Sequence, residues 1–443
     1  MIEIFKTFGD KTAIVHKDAK HSYSELYEKI TKLKQSIKDI KSGEVVAILS
    51  DYSFESIALF FALYQNKNII VPIISQKQAE IDLKLEESFA TKFINIADES
   101  LSIHSLNQTK THEMLKSLRQ ANRAGLILFS SGSTGKPKAM IHDLDTLISH
   151  YNDKKEKSIN MIIFLMFDRI GGLNTLFNIL SIDATAIIPQ NRNADDVCKL
   201  LAEYKIMVLP SSPTFLNLIL MSNANKKYDL SSLRMITYGT EPMPDSLLQR
   251  LKAEFPRVKF LQTFGTSETG IANTSSMSSN STFMKIDDMN LEYKIVDGEL
   301  WLKSKAQILG YLNSSMQSFS DDGWFKTGDL VETTEDGYIK IIGRNKEIIN
   351  IGGEKVLPNE VESVILSMDE VDDCLVYGEK NAITGQSVSC DVVLKQGIDS
   401  QNIKIKVRKF CKDKLANYKI PTKVTAVERT NFGERFKKKR ILG

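Results

Sequence analysis

The sequence is poor in cysteine, in long apolar runs and in leader-like segments. Its four cysteines, at positions 198, 374, 390 and 411, lie far apart, and none belongs to a C-x-x-C pair. This spacing encodes neither a disulfide framework nor a metal-ligand set, and it favours a reducing compartment. The N-terminus lacks a charged segment followed by an apolar stretch, which argues against a signal peptide. The longest apolar runs, such as residues 57–64, are too short to span a bilayer. We therefore expect a cytoplasmic protein without a membrane partner.

An excess of charge of one sign is also absent. The 58 basic residues are nearly balanced by 55 acidic ones, for a net charge of +3. This balance gives no reason to expect nucleic acid as a partner. With 42% hydrophobic and 26% charged residues in 443, the composition is that of a folded globular protein of two or three domains. The local exception is the basic run at 437–440, which we interpret as a solvated chain end.

Short β-branched runs alternate with amphipathic stretches through the first three quarters of the chain. The pattern predicts helices at 55–65 and 76–87, and strands at 45–49, 68–74, 161–166, 185–188 and 205–209. Such alternation is typical of parallel sheets covered by helices. We therefore predict an α/β fold for this part of the chain.

The pattern changes from about residue 292, where Asp-Gly turns separate short strands. These turns indicate an antiparallel, β-barrel-like part. Beyond it, helices are predicted at 358–368 and 401–415 within a mixed α/β pattern. We divide the chain into a large N-terminal domain at 1–343, a hinge at 344–346 and a small α+β domain at 347–443.

The most informative stretch is a loop that follows an apolar strand at residues 126–130. Glycine lets main-chain N–H groups approach an anion, hydroxyls add donors and lysine adds charge, so the loop suits a polyphosphate. A Walker P-loop is excluded, because Ser130 stands where that motif needs glycine and Pro137 follows Lys136. The loop residues that carry this chemistry are Ser130, Ser131, Gly132, Ser133, Thr134, Gly135 and Lys138.

This loop resembles the phosphate-binding signature of the adenylate-forming superfamily. That superfamily includes acyl-CoA synthetases, firefly luciferase and the adenylation domains of nonribosomal peptide synthetases. Further motifs follow in the family's order. Residues 264–268, Phe-Gly-Thr-Ser-Glu, are similar to its aromatic-Gly-x-Thr-Glu motif, and residues 238–242 to the segment whose backbone lines the adenine pocket. Residues 322–330 resemble its Gly-Trp-x-x-Thr-Gly-Asp motif, and residues 343–347 its hinge.

The resemblance implies a role for each motif. An aromatic ring offers a face to adenine, and the carboxylate of Glu268 suits Mg²⁺. Asp329 would accept hydrogen bonds from both ribose hydroxyls, because a carboxylate has two acceptor oxygens. Lys346 would be the pivot of the hinge. The resemblance assigns catalysis to Lys138, Ser267 and Glu268, and ATP binding to Gly239, Thr240, Glu241, Phe264, Gly265, Thr266, Asp329 and Arg344.

The reaction implied by the resemblance has two steps. ATP and a small carboxylic acid first give acyl-AMP and pyrophosphate, with Mg²⁺ as cofactor. The mobile small domain then rotates about the hinge, and a thiol takes the acyl group. That thiol belongs to coenzyme A or to the phosphopantetheine arm of a separate acyl or peptidyl carrier protein. Lysine, Mg²⁺ and N–H donors would stabilise the charge that develops at phosphorus.

The sequence departs from the family at the C-terminal catalytic lysine. The family places this lysine in a Gly-Lys pair, and that register falls on Gly433 and Glu434. A glutamate there would repel the substrate carboxylate and the α-phosphate. Three interpretations are open: a Lys→Glu change in this chain, the use of Arg435 or Lys437 instead, or a nucleotide-binding protein with weakened catalysis. On the first interpretation, Glu434→Lys raises adenylate formation by orders of magnitude.

The acid pocket is expected to begin at residues 167–172, Phe-Asp-Arg-Ile-Gly-Gly. Acyl-CoA synthetases often have an aromatic-His-x-Gly-Gly pattern here, which places Arg169 at the His register, and Gly171 would widen the pocket. In amino-acid adenylation domains, an aspartate at this point binds the α-ammonium group of the substrate, as Asp168 could do. An ion pair between Asp168 and Arg169 is an equally open interpretation. The predicted substrate contacts are Asp168, Arg169 and Gly171, with an amino acid as the alternative substrate.

Overall fold

The computed structural model describes residues 1–97, 100–130, 136–152, 154–434 and 436–440. Its α-helices are α1 Ile4–Phe8, α2 Tyr23–Ser36, α3 Phe54–Gln65, α4 Gln78–Glu87, α5 Glu113–Gln120, α6 Leu144–Ser149, α7 Ile170–Ser181, α8 Ala194–Glu203, α9 Pro213–Met221, α10 Ala224–Lys227, α11 Asp245–Glu254, α12 Pro358–Ile365 and α13 Ile403–Cys411. Short 3₁₀ helices cover Asn345–Glu347 and Asn417–Lys419.

The strands are numbered in chain order in the same way. They are β1 Thr12–His16, β2 Ala19–Ser22, β3 Val45–Leu49, β4 Ile69–Ile73, β5 Lys92–Ala97, β6 Ser100–Ser105, β7 Gly125–Ser130, β8 Lys138–Asp143, β9 Asn160–Ile162, β10 Thr185–Ile187, β11 Val208–Ser211, β12 Met235–Tyr238, β13 Lys259–Gln262, β14 Phe264–Thr266, β15 Gly270–Ala272, β16 Thr274–Ser276, β17 Met284–Ile286, β18 Leu291–Val296, β19 Glu299–Ser304, β20 Gly310–Tyr311, β21 Phe325–Thr333, β22 Ile339–Arg344, β23 Ile349–Ile351, β24 Glu354–Val356, β25 Val371–Asn381, β26 Gly385–Leu394 and β27 Lys423–Ala426.

Two seven-stranded sheets dominate the N-terminal part. One has the order β13-β12-β11-β9-β10-β1-β2 and the other the order β20-β8-β7-β4-β3-β5-β6. The central strands of each are parallel, including β9 with β10 and β11, and β3 with β4 and β5. Antiparallel pairs lie towards the edges, where β2 and β6 turn back along their neighbours and β8 runs antiparallel to both β7 and the edge strand β20. The predicted parallel sheets are thus confirmed.

Helix α3 lies between the two sheets. Ser53 caps it, since its Oγ accepts a hydrogen bond from the amide of Ser56 at 3.0 Å while the Ser56 Oγ accepts one from the amide of Ser53. Its residues from Phe54 to Leu63 are all buried, as expected for a helix that is apolar on every side. The core around it includes strand residues of both sheets, such as Ile14 and Ile48. This shared core fixes the two sheets against each other.

The predicted antiparallel part is a six-stranded sheet in the order β16-β17-β22-β21-β19-β18. Every neighbouring pair in it is antiparallel, and it begins at Thr274, earlier than the sequence pattern indicated. In this sheet Asp329 of β21 pairs with Arg344 of β22. The register therefore places two predicted nucleotide-binding residues side by side.

The C-terminal part has its own sheet and its own core. Strands β23 to β27 form a five-stranded sheet, against which α12 and α13 pack through Val361, Val376 and Val407. Helix α12 starts with Pro358, whose missing N–H is no loss at that position. The predicted α/β fold with a smaller C-terminal domain is confirmed, whereas the limits of the hinge remain a prediction. In the described ranges no helix is long and apolar enough to cross a membrane.

Candidate active site

A cavity of about 450 Å³ opens at the carboxyl ends of the parallel strands. Its walls come from segments that follow β7, β9, β11, β12 and β13, from the start of α7, and from the C-terminal segment. Ligands of open α/β sheets bind in crevices at this edge. The predicted site residues that line the cavity are Ser130, Lys138, Arg169, Gly171, Gly239, Thr240, Phe264, Gly265, Thr266, Ser267, Glu268, Arg344, Lys346, Glu434 and Lys437.

The two ends of the predicted phosphate loop meet at the cavity. Ser130 ends β7, Lys138 begins β8, and the two residues pair across these antiparallel strands. The ammonium of Lys138 lies 4.8 Å from the centroid of the Tyr311 ring, which holds its charge at the cavity wall. The predicted phosphate contacts Ser131, Gly132, Ser133, Thr134 and Gly135 lie outside the described residues.

Residues 264–268 form a short hairpin with β15. Gly265 is required there, because a Cβ would lie 2.5 Å from the carbonyl oxygen of Gly270. The Thr266 Oγ1 accepts a hydrogen bond from the amide of Thr269 at 3.1 Å, which closes the turn. Glu268 accepts one from the hydroxyl of Tyr311 at 3.0 Å. The turn thus presents Ser267 and the Glu268 carboxylate to the cavity, as the motif predicts.

The segment after β12, predicted to line the adenine pocket, contributes Gly239 and Thr240 to the cavity. A Cβ at Gly239 would be 2.7 Å from the carbonyl oxygen of Thr263, so only glycine allows the ends of β12 and β13 to come this close. Thr240 has φ of 72°, an unusual conformation for a β-branched residue. Glu241 does not line the cavity, and the predicted contact of its backbone with ATP stays a prediction. Its side chain leaves the cavity and accepts hydrogen bonds from the amides of Thr214 at 2.8 Å and Lys438 at 3.1 Å.

Asp329 and Arg344 form an ion pair beside the cavity, in which the carboxylate is buried and the guanidinium is partly exposed. The Arg344 Nε donates to Asp329 Oδ1 at 2.7 Å, and the Asp329 side chain is 5% exposed. Burial raises the pKa of Asp329, while Arg344 and Lys437 oppose that rise. In turn, the Asp329 carboxylate raises the pKa of Arg344. Arg344 lines the cavity and Asp329 lies behind it.

The C-terminal segment folds back into the cavity as a hairpin. The amide of Gly433 donates to the carbonyl of Lys437 at 3.0 Å, and Phe436 packs against Phe164 and Phe215. Glu434 is exposed on the rim, whereas burial lowers the pKa of Lys437 to about 8. The alternative residue Arg435 lies outside the described residues. Our interpretation of 437–440 as a solvated end is wrong, because Lys437 enters the cavity and the side chains of Lys438 and Arg440 are only 9% and 8% exposed.

The acid side of the cavity is built on the start of α7. Arg169 donates to the carbonyl of Phe129, and its NH2 lies 3.1 Å from Asp168 Oδ2. Lys84 approaches the same carboxylate oxygen at 3.8 Å. The prediction that Asp168 contacts the substrate needs correction, because this buried carboxylate faces two cations and does not line the cavity. Burial raises its pKa against the opposing charges of Arg169 and Lys84.

Several lining residues escaped the sequence analysis, and three of them have side chains of particular interest. Arg192 donates to the carbonyl of Phe164 at 2.8 Å and to Asp51 Oδ2 at 2.7 Å, and Tyr311 contacts both Glu268 and Lys138. Phe436 is the third. Arg192 and Tyr311 stand outside the motifs, so composition and spacing carried no signal for them, and Phe436 belongs to the C-terminal stretch in which only the charged residues were considered. Their place in the cavity depends on tertiary packing.

The similarity to known proteins extends over nearly the whole chain. The sequence profile of the AMP-binding enzyme family matches residues 3–312, and that of the AMP-binding enzyme C-terminal domain matches residues 360–432. A 2-succinylbenzoate–CoA ligase of Bacillus licheniformis is 25% identical, over 95% of this chain and 94% of its own length. Acyl-CoA synthetase 7 of Caenorhabditis elegans is 30% identical, over 66% of this chain and 59% of its own.

Solved structures share the fold at lower identity. ATP-bound MatB from Rhodopseudomonas palustris has a TM-score of 0.82 at 22% identity, covering 98% of this chain and 96% of that one. The anthranilate CoA ligase AuaEII in complex with anthranoyl-AMP has a TM-score of 0.81 at 20% identity, covering 98% and 94%. The chain belongs to the AMP-binding enzyme family. The predicted superfamily and the predicted class of AMP-forming acid–thiol ligases are thereby confirmed.

Proposed function

We propose that this enzyme activates a small carboxylic acid with ATP and transfers the acyl group from acyl-AMP to the thiol of coenzyme A. One observation carries the proposal for this chain's own residues. Lys437, on the C-terminal hairpin, enters the same cavity as Lys138 and Arg344. The described lining has more basic than acidic side chains, as a site for ATP and a carboxylate requires.

The first step joins two anions. An oxygen of the acid carboxylate attacks the α-phosphorus, and the bond from that phosphorus to the bridging oxygen breaks, so pyrophosphate leaves with the electron pair. Carboxylate and phosphate repel each other unless a cation lies between them. Lys437 is our candidate for that cation. Lys138 and the loop at 130–135 hold the outer phosphates.

The nucleoside is assigned to the opposite half of the cavity. Phe264 offers a ring face to adenine, and Gly239 allows the backbone to approach it closely. The Asp329 carboxylate retains acceptor capacity beyond its bond to Arg344, and we assign it to the ribose hydroxyls. Arg344 lies between the ribose and the phosphates in this arrangement.

Mg²⁺ is the metal that this donor set fits. Within the described ranges no group of three or more His, Cys, Asp and Glu side chains forms a metal cage. Mg²⁺ commonly binds through one or two carboxylates together with substrate phosphates and water. The Glu268 carboxylate, oriented by the hydroxyl of Tyr311, would be its protein ligand. Bound there, the ion would reduce the negative charge of the triphosphate.

The acid is expected to lack an α-ammonium group. Asp168, the residue that would bind such a group, is already paired with Arg169 and Lys84. Two of the proteins named above are CoA ligases of aromatic acids, one of 2-succinylbenzoate and one of anthranilate. Arg169 and Arg192 give the acid end of this cavity a polar wall. A small aryl or polar acid is therefore the substrate class that we propose.

Coenzyme A is the proposed acceptor because the curated relatives named above include CoA ligases. A separate carrier protein with a phosphopantetheine arm is the alternative. For the compartment, the four cysteines are free and buried, which supports the predicted cytoplasmic location. The alternative of a nucleotide-binding protein without catalysis was based on Glu434, which stands where the family has a lysine. In our proposal Lys437 supplies the positive charge that Glu434 lacks.

The test is ATP–pyrophosphate exchange over a panel of aryl, short dicarboxylic, fatty and amino acids, followed by thioester formation with coenzyme A. We expect exchange with small aryl or polar acids and a thioester with coenzyme A. Exchange with amino acids alone would restore the Asp168 hypothesis. A thioester with a phosphopantetheinylated carrier but none with coenzyme A would favour the carrier. Binding of ATP without exchange for any acid would refute the proposal in favour of a nucleotide-binding protein.

A further inference from the structure

The residues that follow Lys437 are buried among carboxylates of the C-terminal part. The Lys438 Nζ lies 3.4 Å from Glu362 Oε2 and 3.3 Å from Asp373 Oδ1, and it also donates to the carbonyl of Cys374. Burial alone would lower the pKa of Lys438, but Asp373 and Glu362 outweigh it and raise the pKa. Lys438 is thus a charged, fully partnered group.

Arg440 reaches the same carboxylate from the other side. Its NH2 donates to Glu362 Oε2 at 2.9 Å and to Asn359 Oδ1 at 2.6 Å, and its NH1 to Glu347 Oε2 at 3.2 Å. Glu362 is itself fixed, because its Oε1 accepts a hydrogen bond from the amide of Val376 at 2.9 Å. We call Lys438, Arg440 and Glu362 the tail anchor. It joins the last described residues to α12 and β25.

The same hairpin also contacts the N-terminal part. The Ser212 Oγ donates to the carbonyl of Phe436 at 2.7 Å, and the amide of Lys438 donates to Glu241. The Phe436 ring centroid lies 4.9 Å from that of Phe215. Lys437 therefore lies between Lys438, which forms ion pairs with the C-terminal part, and Phe436, which packs against the N-terminal part.

We propose that Lys438 and Arg440 are positioning residues for adenylation, which hold the hairpin on Glu362 so that the ammonium of Lys437 stays in the cavity. This inference rests on the proposed function. A chain end is usually poorly ordered unless it is tied down. Holding a lysine at a reacting centre without such a contact costs conformational entropy at every turnover. The tail anchor removes that cost before ATP binds.

The tail anchor is expected to matter for one half-reaction only. Lys437 compensates the charge of the triphosphate and the attacking carboxylate, and most of that charge leaves with pyrophosphate, so that only the single negative charge of the acyl-AMP phosphate remains when the thiol attacks. Adenylation should therefore depend on the tail anchor, whereas transfer from preformed acyl-AMP should not. A merely structural role would affect both steps together.

The test compares Lys438→Gln with the conservative variant Lys438→Arg and with Lys439→Gln. Lys439 is the exposed neighbour on the same hairpin and serves as the matched control. Because a misplacement of about 1 Å can cost on the order of 10²-fold, we expect a loss of about that size in the kcat of pyrophosphate exchange for Lys438→Gln. Lys438→Arg should restore part of it, and Lys439→Gln should stay within about twofold of wild type. Thioester formation from supplied acyl-AMP should be nearly unchanged.

Two results would overturn the inference. One is a folded Lys438→Gln variant with wild-type exchange. The other is an equal loss in both half-reactions together with a lower Tm. If Lys438→Gln does not fold, Arg440→Lys keeps the charge but loses the two-pronged contact, and the same selective loss of exchange is expected for it.

A measurement without catalysis separates this inference from the proposed function. Amide hydrogen exchange over residues 430–440 reports the anchoring directly. Lys438→Gln should speed exchange at Gly433 and Lys439, whose amides bond within the hairpin. Unchanged protection there would refute the tail anchor. Wild-type protein with a protected hairpin but no pyrophosphate exchange would instead refute the proposed function.

Discussion

Replacing Lys437 by glutamine tests which C-terminal residue supplies the charge for adenylation. Glutamine keeps most of the side-chain length and removes the cation. Lys437 lines the cavity with Arg344, and burial lowers its pKa to about 8, so it is held away from bulk water. At an effective dielectric constant of about 20, a cation about 4 Å from a phosphate charge contributes roughly 4 kcal/mol. If most of this energy stabilises the transition state, the rate of adenylation should fall about 10³-fold in Lys437→Gln.

The matched comparison is Glu434, three residues earlier on the same hairpin. Glu434 is exposed on the rim, so Glu434→Gln should change the rate by no more than about tenfold, because exposed charges are well screened. For the same reason, Glu434→Lys should raise the rate of adenylation only modestly, whereas the motif register predicts an increase by orders of magnitude.

The assay is the kcat of ATP–pyrophosphate exchange with the best acid of the panel, with Tm measured for each variant. A Lys437→Gln enzyme that keeps wild-type exchange would refute this reasoning. So would a Glu434→Lys enzyme that gains several hundredfold, because the position predicted by the family register would then be the catalytic one.

Three further predictions follow from the same cavity. Because burial lowers the pKa of Lys437 to about 8, and Arg344 adds to the effect, kcat/KM for ATP should fall as the pH rises above about 8. The kcat profile, measured with the triphosphate bound, should fall only at higher pH, because the phosphate charges favour the protonated form of Lys437. A fall at the same pH in the kcat and kcat/KM profiles would contradict the assignment of this titration to Lys437. Asp329→Asn should raise the KM for ATP about tenfold or more and reduce the preference of the enzyme for ATP over 2′-deoxy-ATP, since a charge-assisted hydrogen bond contributes about 1.5–3 kcal/mol. An unchanged preference for ATP would contradict the contact of Asp329 with the ribose. Gly265→Ala should lower both Tm and ATP affinity, measured by thermal unfolding and titration, because its Cβ would lie 2.5 Å from the carbonyl oxygen of Gly270.

Local patterns predicted the scaffold well where sequence and packing agree. The apolar run at 45–49 is strand β3, Val45–Leu49, and the predicted helix at 55–65 is α3, Phe54–Gln65. Both are buried on all sides, so nearly all of their residues have to be apolar, and this pattern is visible in the sequence. The predicted strand at 161–166 was too long, since β9 ends at Ile162. The following residues are equally apolar, but Phe164 and Met166 leave the sheet to line the cavity.

Motif residues were placed better than isolated ones. Each motif combines a glycine that the backbone needs with a polar group that faces the cavity, as at Gly265 and Glu268. That pairing is visible in one short stretch of sequence. Asp168 and Glu241 show the limit, because the side chain of a carboxylate in or near a motif can pair with a cation or an amide of the protein itself. The choice depends on partners from distant segments, such as Lys84 and Lys438.

The C-terminal hairpin explains why counting along the chain left the catalytic cation undecided. A motif register fixes a position in sequence, whereas the side chain that enters a cavity depends on how a turn closes. Here the turn closes through the hydrogen bond from the amide of Gly433 to the carbonyl of Lys437, so Glu434 lies at the tip and Lys437 on the returning arm. The returning arm is the one held by the tail anchor. On the proposed function, a glutamate at the register position is compatible with adenylation, because the turn brings the ammonium of Lys437, three residues further on, into the cavity.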